Sequence, residues 1–170
     1  TKDALMVDVV KALSTNDVIR LRSPLALRPW QHVLQCLSGY LTLGARLLKT
    51  QDAQYCSGWN IGPAPGNEIP VQAVVDHFIR HWGYGESCDV SDPNSPAEAN
   101  ILRLCIDKAI WHLNWRPLWD VYRTLEKTAE WYRAYLNEET MSEISLAQIQ
   151  EYERDMASHL DRTEDTCKSR

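Results

Sequence analysis

Three arginines, Arg20, Arg22 and Arg28, fall within nine residues, and Pro29 and Trp30 follow at once to stiffen the backbone beside Arg28. A guanidinium presents its N–H groups as a planar fork that holds a phosphate through two parallel hydrogen bonds. The spacing suits an anion site, and its plain alternative is a set of strand-edge or surface charges. His77 and His81 stand four apart on one helical face, but no carboxylate or third ligand accompanies them, so surface or satisfied histidines and no metal are expected. Five cysteines (Cys36, Cys56, Cys88, Cys105, Cys167) lie far apart with no C-x-x-C pair. Reduced thiols in a cytoplasmic protein are the simplest account, with Cys36 and Cys105 in the core.

The chemistry that the sequence lacks is equally informative. None of the seven tyrosines has a lysine four residues on, and the seven glycines, at 39, 44, 58, 62, 66, 83 and 85, form no G-x-G-x-x-G or G-x-x-G-x-x-G. A dinucleotide site needs such glycines so that backbone approaches the pyrophosphate, and a tyrosine acid needs a nearby lysine to lower its pKa. No catalytic residue is therefore assigned.

The chain of 170 residues suits one domain, with a lobe over residues 1–158 and a polar tail over 159–170 that is expected to fray. It opens on Thr1 rather than Met, with no charged-then-apolar leader, and is expected to be cut from something longer. No run of about 18 apolar residues offers a membrane span. The net charge of −5 is uneven, because residues 1–49 carry seven Lys/Arg against three Asp/Glu, and residues 50–170 carry eleven against twenty. That excess is too small for a nucleic-acid duplex and suits one small anionic ligand or, equally, a solvated surface.

The elements that position these residues are mostly helical. Apolar spacing predicts helices over Asp3 to Leu13 with Asp3 as cap, Leu34 to Lys49, Pro70 to Trp82 with Gly83 as stop, Ile106 to Leu113 ended by Asn114, and Asp120 to Asn137. In the Asp120 helix the buried face is expected to be Val121, Leu125, Thr128, Tyr132 and Tyr135. Ser145 to Gln148 reads as a capping box opening a last helix with Leu146, Ile149, Met156 and Leu160 on its buried stripe. The Leu34 helix is apolar on two sides and is expected to be covered on both. Short strands are expected at Val18 to Leu21, Gly58 to Gly62, where Asn60 would sit at a ligand-facing end, and Cys88 to Val90, with Leu102 to Leu104 extended. Trp111, Trp115 and Trp119 read as core aromatics around a corner. The fold class is α/β, predominantly helical with a few short strands.

Six segments in order, RPWQHV (28–33), LSGYL (37–41), GWNIGP (58–63), AEAN (97–100), DKA with LNWRP (107–117) and LEKTAEWYRAYL (125–136), make the chain resemble the C-terminal part of an extended short-chain dehydrogenase/reductase acting on nucleotide sugars, most specifically its CDP-glucose 4,6-dehydratase branch. The resemblance covers residues 3 to 155. It implies a C-terminal substrate-binding lobe of an NAD(P)-binding Rossmann-type enzyme, a lyase of carbohydrate biosynthesis, whose Rossmann half is largely missing here. It also implies that Arg28 holds the diphosphate, that the strand with Ile19 and Leu21 lies along the nucleotide, that Glu98 approaches the diphosphate or sugar, and that GWNIGP is the last parallel strand of the sheet. The ligand implied is a nucleotide sugar, a CDP-hexose in that branch. No cofactor is expected on this chain alone, NAD coming only with an N-terminal Rossmann half in cis or in trans. The chain departs from the family's pattern at Val7, Gln35, Cys36, Ala97 and Cys105. The alternative reading is a non-catalytic interaction or oligomerisation module, or a relic of that fold, in which the Leu34 helix and the Trp59 to Ile61 strand are left bare for self-association or a partner chain.

Overall fold

A computed structural model of the chain describes residues 4–92 and 100–168. It is mostly helical, with four short strands: α1 (Leu5–Ser14), β1 (Ile19–Leu21), β2 (Leu27–Arg28), α2 (Val33–Thr50), β3 (Ile69–Pro70), α3 (Val71–Trp82), β4 (Ser87–Asp89), α4 (Val121–Leu136) and α5 (Met141–Lys168). β1 pairs in parallel with β4, and β2 pairs antiparallel with β3. Asp3, expected to cap α1, lies outside the described residues, and Ala4 occupies the cap position with no side-chain bond.

Two cores result. The larger gathers Val9, Val10 and Leu13 of α1, Ile19 and Leu21 of β1, Val74, Val75, Phe78 and Trp82 of α3, and Val121, Leu125 and Ala129 of α4. These recur every three or four residues on each helix, which is why the helices form with one face inward. Gly83 ends α3 at φ 101°, a left-handed conformation that side chains resist, and its N–H reaches Ile79 C=O. Pro70 caps α3 rather than opening it. Asp120 caps α4, accepting the Arg123 N–H at 2.8 Å. The smaller core joins Tyr55, Ile61, Ile106, Ala109, Leu113 and Trp115, with Leu43 and Leu47 of α2 packed against it.

Several expectations are corrected. Gly58 to Gly62 is not a strand, because its backbone pairs with no described segment, although residues 104–106 lie close by; Ile61 C=O accepts instead from Gln31 Nε2 at 2.9 Å. The segment after Ile106 makes one π-helical turn, Ala109–Leu113, before the left-handed Asn114. Trp115 and Trp119 are buried, yet Trp111 is 81% exposed, and Tyr135 also faces outward. Cys105 is exposed and Cys36 half-buried; the four described thiols are all free. α2 is covered on one side only, with Leu41 and Leu48 exposed at 74% and 85%.

α5 differs most. It begins at Met141, four residues before the expected capping box, and its backbone stays helical to Lys168. Leu146, Ile149 and Met156 are exposed while Gln148 and Tyr152 are buried. Polar contacts choose this face: Gln148 Nε2 donates to Lys127 C=O, Trp131 Nε1 to Ser145 Oγ, and Trp119 Nε1 to Asp155 Oδ2. A buried donor left unmade costs about 1–3 kcal/mol, comparable to burying one Leu or Met.

The core assignment predicts that Phe78→Ala lowers the unfolding free energy by about 3–5 kcal/mol in urea titration, whereas Leu48→Ala on the bare side of α2 shifts it by no more than about 0.5 kcal/mol.

Candidate functional site

β1 is three residues long and would not hold its place alone. Its partner fixes it: Ile19 N–H donates to Glu86 C=O and Val90 N–H to Leu21 C=O, both at 2.9 Å. A strand's backbone groups alternate sides, so Ile19 and Leu21 turn theirs toward β4 while Arg20 turns its own to the opposite edge. The Ile19 and Leu21 side chains are buried in the larger core. Arg28 is fixed in the same manner one turn later, opposite Ile69 in the β2–β3 pair, with the Leu27 N–H on Asn100 C=O and the Leu102 N–H on Leu27 C=O. The Arg28 guanidinium donates to Leu27 C=O at 3.0 Å, and Trp30 Nε1 to Ile69 C=O at 3.3 Å.

Between α1, β1 and the Arg28–Trp30 segment lies a cavity of about 720 Å³. Its walls include Ile19, Leu21, Arg20, Arg22, Arg28 and Trp30, with Asp8, Lys11 and Asp17 contributed by α1 and the turn after it. Its lining residues include four cations and two carboxylates, and Asp17 is engaged by the Val18 N–H at 2.7 Å; an excess of cations in a cleft favours anionic ligands. The structure thus brings Arg28, Ile19 and Leu21 together around one space. Glu98 and Ala97 lie outside the described residues.

His77 sits on the outer side of α3 against the Tyr122 ring, 4.4 Å between centroids. Burial, then the charges of Arg80 and His81, lowers its pKa. No group of three metal-ligating side chains occurs among the described residues. No helix there is long and apolar enough to cross a membrane.

Sequence reasoning did not find a buried polar seam where α2, α4 and α5 meet. His32 caps α2, its Nδ1 accepting the Leu34 N–H, with its ring edge-on to Trp119 at 5.1 Å. Gln35, wholly buried, accepts the Trp119 N–H at 2.9 Å. Ser38 Oγ receives Trp115 Nε1 at 2.9 Å and meets the Tyr152 hydroxyl at 3.1 Å. Lys127 is buried against Glu130 and Glu151; burial works against its charge, but those two hydrogen bonds prevail and hold its pKa above the ordinary value. Burial, reinforced by the Lys127 charge, pushes His32 down to about 4. The signal was the spacing His32, Gln35, Ser38, one polar residue per helical turn on an otherwise apolar helix.

No protein-family model matches the chain. The CDP-glucose 4,6-dehydratase of Salmonella typhimurium is 36% identical over 151 residues, which are 89% of this chain and 42% of that enzyme; the chain therefore spans under half the length of the curated relative it matches. Among solved structures it is similar to the dTDP-glucose 4,6-dehydratase of Bacillus anthracis, solved with NAD (TM-score 0.60, 20% identity, 77% of this chain and 39% of that one). It is also similar to the UDP-glucuronic acid 4-epimerase of Bacillus cereus, solved with UDP-glucuronic acid and NAD (TM-score 0.64, 15% identity, 78% and 40%).

Neutral His32 stabilises the fold fully above its unfolded pKa of 6.5, and this contribution is lost as the pH falls toward about 4, because the unfolded chain takes up the proton first. The difference in unfolding free energy between wild type and His32→Asn is therefore expected to shrink by about 3 kcal/mol from pH 7 to pH 4. A pH-independent difference would contradict the burial of the neutral ring.

Proposed function

With the chain corresponding in sequence and fold to the C-terminal part of an extended short-chain dehydrogenase/reductase, we propose that it is a nucleotide-sugar-binding lobe, gripping the diphosphate of a CDP-hexose and not catalytic alone. The observation that carries this reading is the cavity in which Arg28, Arg20 and Arg22 stand around the open edge of β1.

Arg28 holds the diphosphate, its fork matched to phosphate oxygens and its position set by the β2–β3 pair. Ile19 and Leu21 serve as the wall of the cleft, with their backbone spent on β4. The Arg20 N–H and C=O on the other edge offer one donor and one acceptor in the plane of the strand, which suits the edge of a heterocyclic base. Glu98 is assigned to the diphosphate or sugar side. The curated relative is named for CDP-glucose, which favours a CDP-hexose over the dTDP and UDP sugars named for the more distant structures.

Among the described residues α2 is entered through His32 and α3 through Pro70, with no strand, glycine turn and helix in succession. These entrances do not fit a dinucleotide pyrophosphate, which needs close backbone approach at a helix N-terminus. NAD is assigned to the remaining part of the fold, and the lyase chemistry of carbohydrate biosynthesis with it. A cytoplasmic setting is part of this reading, supported by the nucleotide-sugar chemistry named for the relatives.

Calorimetric titration of CDP, CDP-glucose and UDP-glucose into the chain tests the reading. Arg28→Ala is expected to weaken CDP-glucose by about 1.5–3 kcal/mol, or roughly 10- to 150-fold, and CDP by the same factor, since both carry the diphosphate. Equal affinity for wild type and variant, or no binding by either, overturns it.

A further inference from the structure

Two polar atoms in the seam between α2 and α4 stand out from their neighbours. Gln35 is wholly buried and Thr124 is 5% exposed, yet Gln35 Nε2 and Thr124 Oγ1 have no hydrogen-bond partner among the described residues. The Gln35 amide cannot turn over to change this. The Trp119 N–H only donates, so the amide oxygen is committed to it at 2.9 Å and Nε2 is left with two protons to place. Thr124 departs from the other helical threonines in a similar way. Thr42, Thr50 and Thr128 each donate to the carbonyl one turn back on their own helix, on Ser38, Arg46 and Thr124. The Asp120 C=O, one turn before Thr124, receives the Thr124 backbone N–H at 3.0 Å but not its hydroxyl.

Both atoms belong to the same joint. Gln35 reaches Trp119, and α4 starts two residues later at Val121. Around α4, Thr124 falls between Val121, which packs into the larger core, and Lys127, which meets Glu151 of α5. The Lys127 charge reaches His32, three residues before Gln35. Thr124 therefore lies between the two points, Trp119 and Lys127, at which this stretch of chain meets the start of α2. A third unpaired atom, Gln31 Oε1, sits on a half-buried residue ahead of α2 and is not part of the joint.

Buried polar atoms in folded proteins are paired, either by other protein groups or by ordered water. Gln35 and Thr124 are closed to bulk solvent, so whatever completes them is small. A water molecule matches them, accepting from an amide proton and donating to a hydroxyl oxygen, and buried waters are held by about two to four polar partners. An ion fits less well, since Lys127 is already matched by Glu130 at 2.8 Å and Glu151 at 3.0 Å. We propose that a buried water molecule is a resident ligand of this seam, accepting from Gln35 Nε2 and donating to Thr124 Oγ1, and that it joins the start of α2 to the start of α4. The inference rests neither on the family correspondence nor on nucleotide binding.

The sign of one substitution tests it. Valine has the shape of threonine without the hydroxyl and nearly the same helix propensity, so Thr124→Val changes little else. With the water as a bridge, the variant leaves both the water and Gln35 short of a partner, and the melting temperature is expected to fall by about 2–4 °C. Were the Thr124 hydroxyl simply unpaired, the same change would remove a buried polar group and leave the melting temperature level or raised. That result overturns the proposal. The second measurement is relaxation dispersion of the solvent oxygen nuclei, which counts water molecules held for longer than the protein takes to tumble. The wild-type chain is expected to hold one more than the double variant Gln35→Met, Thr124→Val, whose joint is apolar and dry. An equal count overturns the proposal as well. If the double variant fails to fold, the sign of the Thr124→Val shift decides alone.

Discussion

The N-terminal half of α2 and the residues just before it hold the two cores in register, and they do so through side-chain hydrogen bonds rather than through a sheet. Gln31 reaches the Ile61 carbonyl, Gln35 takes the Trp119 N–H, and Ser38 joins Trp115 to Tyr152. These partners lie on three different segments, residues 58–62, 115–119 and α5, and each bond is half-buried or buried, where a broken one leaves a polar group unpaired at a cost of about 1–3 kcal/mol. Few geometries satisfy all of them at once. The arrangement of α2, α4, α5 and the 55–61 segment is fixed accordingly, although the described residues contain no strand longer than three residues.

The cavity inherits its shape from this frame. Arg28 sits five residues before the start of α2, and Trp30, between them, is tied to Ile69. The same Ile69 lies opposite Arg28 in the β2–β3 pair. β1, on the other wall, is held by β4 and by the burial of Ile19 and Leu21 in the larger core. Short strands suffice because each is pinned at both levels, by backbone pairing and by an apolar side chain beneath it. Charge then gives the space its character: four of the seven cations of the first 49 residues line one cleft with two carboxylates, while the acidic excess of the remainder is partly consumed along α4 and α5, where Glu151 joins Lys127 and Arg123.

α5 shows how polar contacts override an apolar pattern. Its buried stripe, Ser145, Gln148, Glu151, Tyr152 and Asp155, has helical spacing, but only Tyr152 would be counted as apolar. The complementary groups stand on α4 and before it, as Trp131, Lys127, Arg123 and Trp119. A reading that assigns burial by hydrophobicity chooses Leu146, Ile149 and Met156 and obtains the opposite face.

The sequence by itself determined the helices α1 to α4, because their apolar spacing, the Asp120 cap and the Gly83 and Asn114 stops are local signals. It also determined the arginine cluster and, through six motifs in order, the family. The tertiary structure alone decided where those motifs meet. Gly39 of LSGYL is small because Ile61 of GWNIGP lies against it, and Lys108 of DKA reaches Gly58 and stacks over Trp59. It likewise decided that Gly58 to Gly62 is no strand, since a strand is a relation between two segments and no pattern within one of them reveals whether the other is present. The buried face of α5 was settled the same way, by donors and acceptors supplied from elsewhere in the chain.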